Sequence, residues 1–231
     1  MLTLEGLRLC WEGWSLSAEM TIGEGARVGI LGPSGAGKST LLSAIAGYLD
    51  PCEGRILWKG QDLAGLAPAE RPVSMIFQDN NLFPHLTAAE NVGLGLRPDL
   101  RLSRDQKAAV EGALERVGLA GLGGRKPGQL SGGQAARVTL ARTLLRRKPL
   151  ILLDEPFGAL GPALRREMLS LVDELAEDTG ATLLMVSHEP NDARAIAREV
   201  VLVADGLAHP PAPTEAIFAN PPAALKDYLG T

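Results

Sequence analysis

Cysteine and aromatic side chains are scarce in this chain, no charge sign dominates, and no apolar run is long. The two cysteines among 231 residues are Cys10 and Cys52. They have no C-x-x-C spacing and belong to no metal-ligand cluster, so both are expected to be inert, unpaired packing residues in a reducing compartment. Phe, Trp and Tyr together make up 4% of the residues, which argues against stacking platforms for single-stranded nucleic acid. Lys plus Arg number 23 against 27 Asp plus Glu, a formal net charge of −4. That balance gives no electrostatic reason to bind nucleic acid or an anionic membrane surface. No stretch approaches the ~18 apolar residues of a membrane span. The segment Met1 to Leu16 lacks a basic start followed by an apolar run, so no secretory signal is expected. A role at a membrane therefore requires docking onto other chains.

What remains is the composition of an ordinary globular protein, 45% apolar and 22% charged. Arg27-Val28-Gly29-Ile30-Leu31 is a short apolar run that stops at a glycine-rich loop, and reads as a buried strand. Ser39 to Leu49 carries a helical pattern in Leu41, Leu42, Ile45 and Ala46. Met75-Ile76-Phe77 reads as a second buried strand. From about Phe83 to Lys148 the pattern is helical, with three capping-box starts: Thr87 with Glu90, Ser103 with Gln106, and Ser131 with Gln134. The last of these helices ends in Arg146-Arg147-Lys148-Pro149, cations at the negative end of its dipole with a proline beyond. Strands at Leu150 to Leu153, Thr182 to Val186 and Val200 to Ala204 alternate with helices at Pro162 to Glu177 and about Asp192 to Arg198. Such alternation predicts a mostly parallel sheet with helices on its faces. The proline-rich tail from His209 reads as a loose wrap with a short helix. No internal repeat is evident.

Gly32-Pro33-Ser34-Gly35-Ala36-Gly37-Lys38-Ser39-Thr40 matches G-x-x-x-x-G-K-[ST], between a predicted strand and a predicted helix as the motif requires. At average usage such a match arises by chance in about 1% of chains this long, and the correct context lowers that figure. The glycines let backbone amides turn toward phosphate oxygens, and the helix N-terminus adds positive potential. Lys38 is expected to reach the β- and γ-phosphates of a nucleotide, and the Ser39 hydroxyl to ligate Mg²⁺. Asp154 and Glu155 close an all-apolar strand, at the carboxyl end where open α/β sheets bind ligands. Neighbours on a strand point in opposite directions, so the two acids are expected to differ in role. Asp154 is assigned to Mg²⁺ through water, and Glu155 to the attacking water as general base. Leu130-Ser131-Gly132-Gly133-Gln134 supplies a second anion-binding helix end. A chain with two such ends can use both by pairing head to tail with a second copy, each ATP lying between one copy's cradle and the other's Ser131 loop.

The cradle, Gln78 after a strand, Leu130 to Gln134, Asp154-Glu155 and His188 stand in an order and spacing that resemble the ATP-binding subunits of ABC transporters. The resemblance covers essentially the whole chain, and the five-residue signature is highly specific. It implies the α/β fold of P-loop NTPases: a mostly parallel sheet, a small N-terminal antiparallel β portion and a helical insert. Residues 1–231 would form one nucleotide-binding domain, with a helical subdomain at about 83–148 and a tail at about 209–231. By the same resemblance Gln78 contacts Mg²⁺ and the attacking water and relays nucleotide state to membrane subunits. His188 contacts the γ-phosphate, and Trp11 stacks on adenine, with Trp14 competing for that place. The family usually has Ser-Ala-Leu-Asp after its glutamate, whereas this chain has Gly158-Ala159-Leu160-Gly161 and so lacks the aspartate. Residues Arg71 to Thr87 look like bacterial importers. Asn80 to Phe83, Gly93 to Leu96, Leu183 to His188 and Val203 to Gly206 narrow the resemblance to importers of thiamine or its phosphate esters, with an importer of another small solute or ion as the alternative. The partners implied are a second copy of the chain, integral permease subunits and, indirectly, a periplasmic solute-binding protein. Nucleic acid is not among them. The place implied is the cytoplasmic face of the bacterial inner membrane. Soluble ABC ATPases of DNA repair or translation usually carry two ATPase units or a long coiled coil, and neither is seen here. A small-molecule or nucleotide kinase would leave the Ser131 signature and Glu155 unexplained.

Overall fold

The computed structural model describes residues 1–77 and 81–229. Their contacts form two units: Met1–Met75 with Pro149–Glu155 and the chain from Gly180 onward, and Ile76–Lys148 with Pro156–Thr179.

The first unit is built on one sheet. Its strands are β1 (Leu2–Trp11), β2 (Trp14–Ile22), β3 (Arg27–Leu31), β4 (Glu53–Trp58), β5 (Gln61–Asp62), β6 (Val73–Ile76), β7 (Leu150–Asp154), β8 (Thr182–Val186), β9 (Glu199–Ala204), β10 (Leu207–Ala208) and β11 (Ala212–Pro213). The spatial order is β5-β4-β1-β2-β10-β9-β3-β8-β7-β6, with β11 also on β9. Strands β1, β2, β4 and β5 pair antiparallel. Strands β9, β3, β8 and β7 pair parallel. The two-residue β10 joins the halves, parallel to β2 and antiparallel to β9. This is the mixed α/β architecture expected, antiparallel portion included.

Each parallel strand is apolar on both faces, as strands covered on both sides must be. Val201 and Val203 of β9 face the same core as Leu150, Leu152, Leu184 and Val186, packed with Leu41, Leu42 and Ile45 of α1 (Lys38–Ala46). The alternate residues Val200, Leu202 and Ala204 face Ala193 of α6 (Pro190–Ile196) and Leu225 of α8 (Ala223–Leu229). The tail thus carries two short helices, α7 (Thr214–Ala219) and α8, and is anchored by buried Leu225.

Helix α1 stops at Ala46, short of the expected Leu49, because Gly47 adopts the left-handed conformation (φ 88°) and turns the chain. Its last carbonyls are met by a buried cation. Arg71 is 2% exposed, and its Nη1 donates to Ala44 O at 2.9 Å and to Ile45 O at 3.0 Å. Its Nε donates to Leu66 O at 3.3 Å. Burial pushes the Arg71 pKa down, while Asp50 and Asp62 oppose that shift. A cation here also suits the negative end of the helix dipole.

One expectation is corrected. Cys10 and Cys52 are not unpaired packing residues: a disulfide joins them, with Cα atoms 6.0 Å apart. The antiparallel register of β1 and β4 sets Arg8 opposite Glu53, which brings cysteines 42 positions apart in sequence side by side. Both residues are exposed.

The second unit holds α2 (Ala88–Gly93), α3 (Arg104–Arg116), α4 (Gly132–Arg146) and α5 (Pro162–Thr179). All three expected capping boxes are present, at Thr87, Ser103 and Ser131. Buried Asn91 on α2 accepts from Phe83 N and donates to the carbonyls of Phe83, Leu86 and Thr87, which pins the turn before the helix.

Arg71→Ala strips three hydrogen bonds from the carbonyl side of α1 and the adjoining turn. The expected cost is about 3 kcal/mol, the scale for breaking a buried charged network. Urea unfolding checks it through a lower midpoint at unchanged m-value.

Candidate active site

Strands β3, β8 and β7 are parallel neighbours in which Ile30 pairs with Val186, and Val186 with Asp154. Their carboxyl ends therefore stand side by side, and each delivers part of one site. The loop Gly32 to Gly37 follows β3, His188 follows β8, and Asp154-Glu155 end β7.

Just past the loop, Lys38 at the start of α1 is 5% exposed. Its Nζ donates to Gly32 O and Pro33 O, both at 2.8 Å. Burial drives its pKa down, while Glu155 and Asp154 pull it back up. Gly37 is the N-cap of α1 at φ 101°, with no side-chain cap and no acid in the first turn. A side chain at Gly37 would meet both a left-handed backbone and the Trp14 ring, which packs over it. Helix α1 thus opens with its N-terminal amides uncovered by side chains, the arrangement that attracts phosphate.

Ser39 Oγ donates to Asp154 Oδ1 at 2.7 Å. A hydroxyl and a carboxylate meeting beside a phosphate loop form a hard oxygen donor set of the kind Mg²⁺ takes when phosphates complete its shell. Among the described residues no cluster of three His, Cys, Asp or Glu side chains could hold a metal ion.

Asp154 and Glu155 do part company, but not by strand alternation. Asp154 is the last residue of β7, while Glu155 has turned to φ 49° and donates its N–H to Val186 O at 3.1 Å. The Glu155 side chain is 17% exposed, and its Oε1 lies 2.6 Å from His188 Nε2. Asp154 thus faces Ser39 while Glu155 faces His188.

These groups border one cavity of ≈ 630 Å³ whose lining includes Lys38, Ser39, Glu155, His188, Trp11 and Trp14. The ABC transporter family model matches residues 16–158. The chain belongs to the ABC transporter family. It is 60% identical to the thiamine import ATP-binding protein ThiQ of Cereibacter sphaeroides, over 230 residues and 100% of both chains. It is 50% identical to ThiQ of Yersinia pestis, over 94% of this chain and 92% of that one. A solved dimeric structure of the ATP-binding cassette MJ0796, in a post-hydrolysis state bound to ADP and Pi, superposes with a TM-score of 0.80 at 31% identity. It covers 93% of this chain and 99% of that one.

In this ABC ATPase the two candidate tryptophans are unlike. Trp14 is half-buried against Gly37, whereas Trp11 is 69% exposed at the cavity. An aromatic face is thus open at Trp11 and taken up by packing at Trp14. The cavity also includes Cys10, Ser43, Tyr48 and Leu49 in its lining, which the sequence reading missed. Tyr48, two residues past the helix end, carries no motif that would have flagged it. Gln78 lies outside the described residues.

The Ser131 signature lies in the second unit, where Ser131 Oγ accepts from Gln134 N and Gln134 Oε1 accepts from Ser131 N. A Cβ at buried Gly133 would run into the Leu164 side chain of α5, which would have to shift to admit a larger residue. Gly161 has open space where a side chain would project, so an aspartate there would meet no obstacle within the chain.

Trp11→Ala is expected to raise the Kd for ATP roughly three- to tenfold, the worth of a lost stacking face, with little change in melting temperature. Trp14→Ala is expected to cost about 2 kcal/mol of stability by emptying a packed position. Calorimetric titration paired with thermal melts separates the two. The opposite pattern would assign the stacking face to Trp14.

Proposed function

We propose that this chain is the ATP-binding and ATP-hydrolysing subunit of a bacterial ABC importer for thiamine or its phosphate esters. The observation that carries the chemistry is the meeting of Lys38, Ser39 (bonded to Asp154) and the Glu155–His188 pair at one cavity. The full-length likeness to ThiQ proteins supports the cargo.

On this reading the residues around the cavity divide the work. The uncovered amides of the α1 N-terminus, with Gly32 to Gly37, Ser39 and Thr40, hold the phosphates. Lys38 exchanges its two loop carbonyls for phosphate oxygens, and the gain in charge pairing offsets the burial that depresses its pKa. Ser39 and Asp154 would hold Mg²⁺, which when bound would neutralise phosphate charge. Glu155 accepts a proton from water as that water attacks the γ-phosphorus and the bond to the β-phosphate oxygen breaks. His188 Nε2–H holds the other end of the Glu155 carboxylate contact, keeping the base aimed and standing near the γ-phosphate. Gln78 senses the cation and water. Trp11 stacks on the base.

The Ser131-Gly132-Gly133-Gln134 end completes the site of a second copy, so two ATP molecules are sandwiched in a head-to-tail dimer. The dimeric MJ0796 cassette with ADP and Pi supports this reading. No described helix is long and apolar enough to cross a membrane. In this reading the permease is a separate partner, and the chain works peripherally at the cytoplasmic face of the inner membrane. A periplasmic binding protein delivers cargo to that permease.

Glu155→Gln keeps the hydrogen-bonding shape but accepts no proton. Turnover is expected to fall at least about a hundredfold with ATP affinity retained, and ATP with Mg²⁺ should trap a dimer visible by size-exclusion chromatography. A variant that hydrolyses ATP normally would remove Glu155 from the role of base. For the cargo, deletion of the gene is expected to abolish uptake of labelled thiamine. Undiminished uptake in a strain with no second thiamine importer would reject that assignment.

A further inference from the structure

The Cys10–Cys52 disulfide belongs to the rim of the ATP cavity. Cys10 itself lines the cavity and is followed by Trp11. Cys52 ends the segment that leaves α1 through Tyr48 and Leu49, which line the same cavity. Trp11 is 69% exposed and Tyr48 58%, the two most exposed large apolar side chains among those described. A side chain as exposed as that of Trp11 is positioned chiefly by its backbone. The backbone pairing that ties β1 to β4 stops at Arg8 and Glu53, with Cys52 N donating to Arg8 O at 2.9 Å. Past that point the disulfide links the two rim segments. Both sulfur-bearing residues are exposed, and exposed disulfides are the ones small thiols reach and exchange.

We propose that Cys10 and Cys52 form a reversible thiol–disulfide pair that sets nucleotide affinity by clamping the two aromatic segments of the cavity rim. The proposal rests on the ATP-binding reading above. In the oxidising direction one cysteine thiolate attacks a sulfur of a small disulfide such as oxidised glutathione, and one glutathione thiolate leaves. The second cysteine thiolate attacks the protein sulfur of that mixed disulfide, and the second glutathione leaves. Two thiols have lost two protons and two electrons, and one glutathione disulfide has become two glutathiones. Closing the link ties the hairpin end at Trp11, where β1 stays paired to β2 through Cys10 with Ser15 and Trp11 with Trp14, to the Tyr48 segment before the base arrives, so less ordering remains to be done on binding. The closed form therefore binds ATP more tightly, and a reducing compartment holds the rim in its weaker state.

The test equilibrates the purified chain in glutathione buffers of graded ratio. Alkylation and mass measurement count the thiols, and each sample is titrated with ATP in a calorimeter. The expected result is that both thiols disappear together as the buffer becomes oxidising and reappear on reduction. The Kd for ATP should fall on the order of fivefold in the oxidised form, the worth of one pre-ordered side chain. Cys52→Ser, which removes the link without touching a cavity-lining residue, is expected to bind as the reduced chain does in every buffer. Equal affinity of fully oxidised and fully reduced chain overturns the proposal. So do thiols that never pair, a disulfide that no reducing buffer opens, or a Cys52→Ser chain that still responds. If the pair forms and opens but no ATP binds in either state, the ATP-binding reading has failed, and the proposed coupling fails with it.

Discussion

A helix held at both ends by buried cations governs this structure. At the start of α1, Lys38 folds back onto the carbonyls of Gly32 and Pro33. At its finish, Arg71 takes the carbonyls of Ala44 and Ile45. Both cations are almost wholly buried, and burial depresses the pKa of each. An ammonium or guanidinium withdrawn from water must find oxygen partners, and here the partners are backbone. Nine residues of helix therefore sit at a fixed height beneath the sheet ends. The Gly32 to Gly37 loop is shaped around the lysine that follows it.

From that placement the acids follow. The parallel register of β3, β8 and β7 lines up three strand ends. The chain reverses at Glu155 with a positive φ, a conformation a non-glycine residue holds only when its surroundings impose it. The N–H bond to Val186 supplies one such restraint, and the His188 contact another. Because of the reversal, neighbouring carboxylates meet different partners: Asp154 the Ser39 hydroxyl, Glu155 an imidazole. Simple strand alternation reaches the same division of partners by a route the backbone does not take.

Much of this was legible in the sequence because it rests on local rules. The phosphate loop, the apolar strand ending in Asp154, and the three capping boxes each lie within a few consecutive residues, and each appears where expected. What was illegible depends on distant pairing. In β1 the buried leucines fall at Leu2, Leu4, Leu7 and Leu9, and a register shift between Leu4 and Leu7 breaks the period of two that would have announced the strand. The Cys10–Cys52 link needs the β1–β4 register, which no spacing of two cysteines reveals. Arg71 looks like a surface charge until the end of α1 is seen to lie against it. Two-residue strands such as β10 and β11 are shorter than any periodicity can register.

Helix ends separate the two halves of the proposed ATP site. Helices α2, α3 and α4 begin with a side-chain cap and a reciprocal glutamate or glutamine, so part of each first turn is already satisfied. Helix α1 begins at Gly37 with neither. An anion at α1 meets amides that no side chain has claimed, together with a lysine ready to exchange carbonyls for phosphate. An anion at α4 adds to a turn that Ser131 and Gln134 have partly closed, and gains the Ser131 hydroxyl and the exposed Gly132 amide region rather than a whole cradle. The strong half and the weak half therefore differ by capping. On the proposed sandwich, a single chain holds ATP by its own loop. The signature end contributes once a second copy presents it.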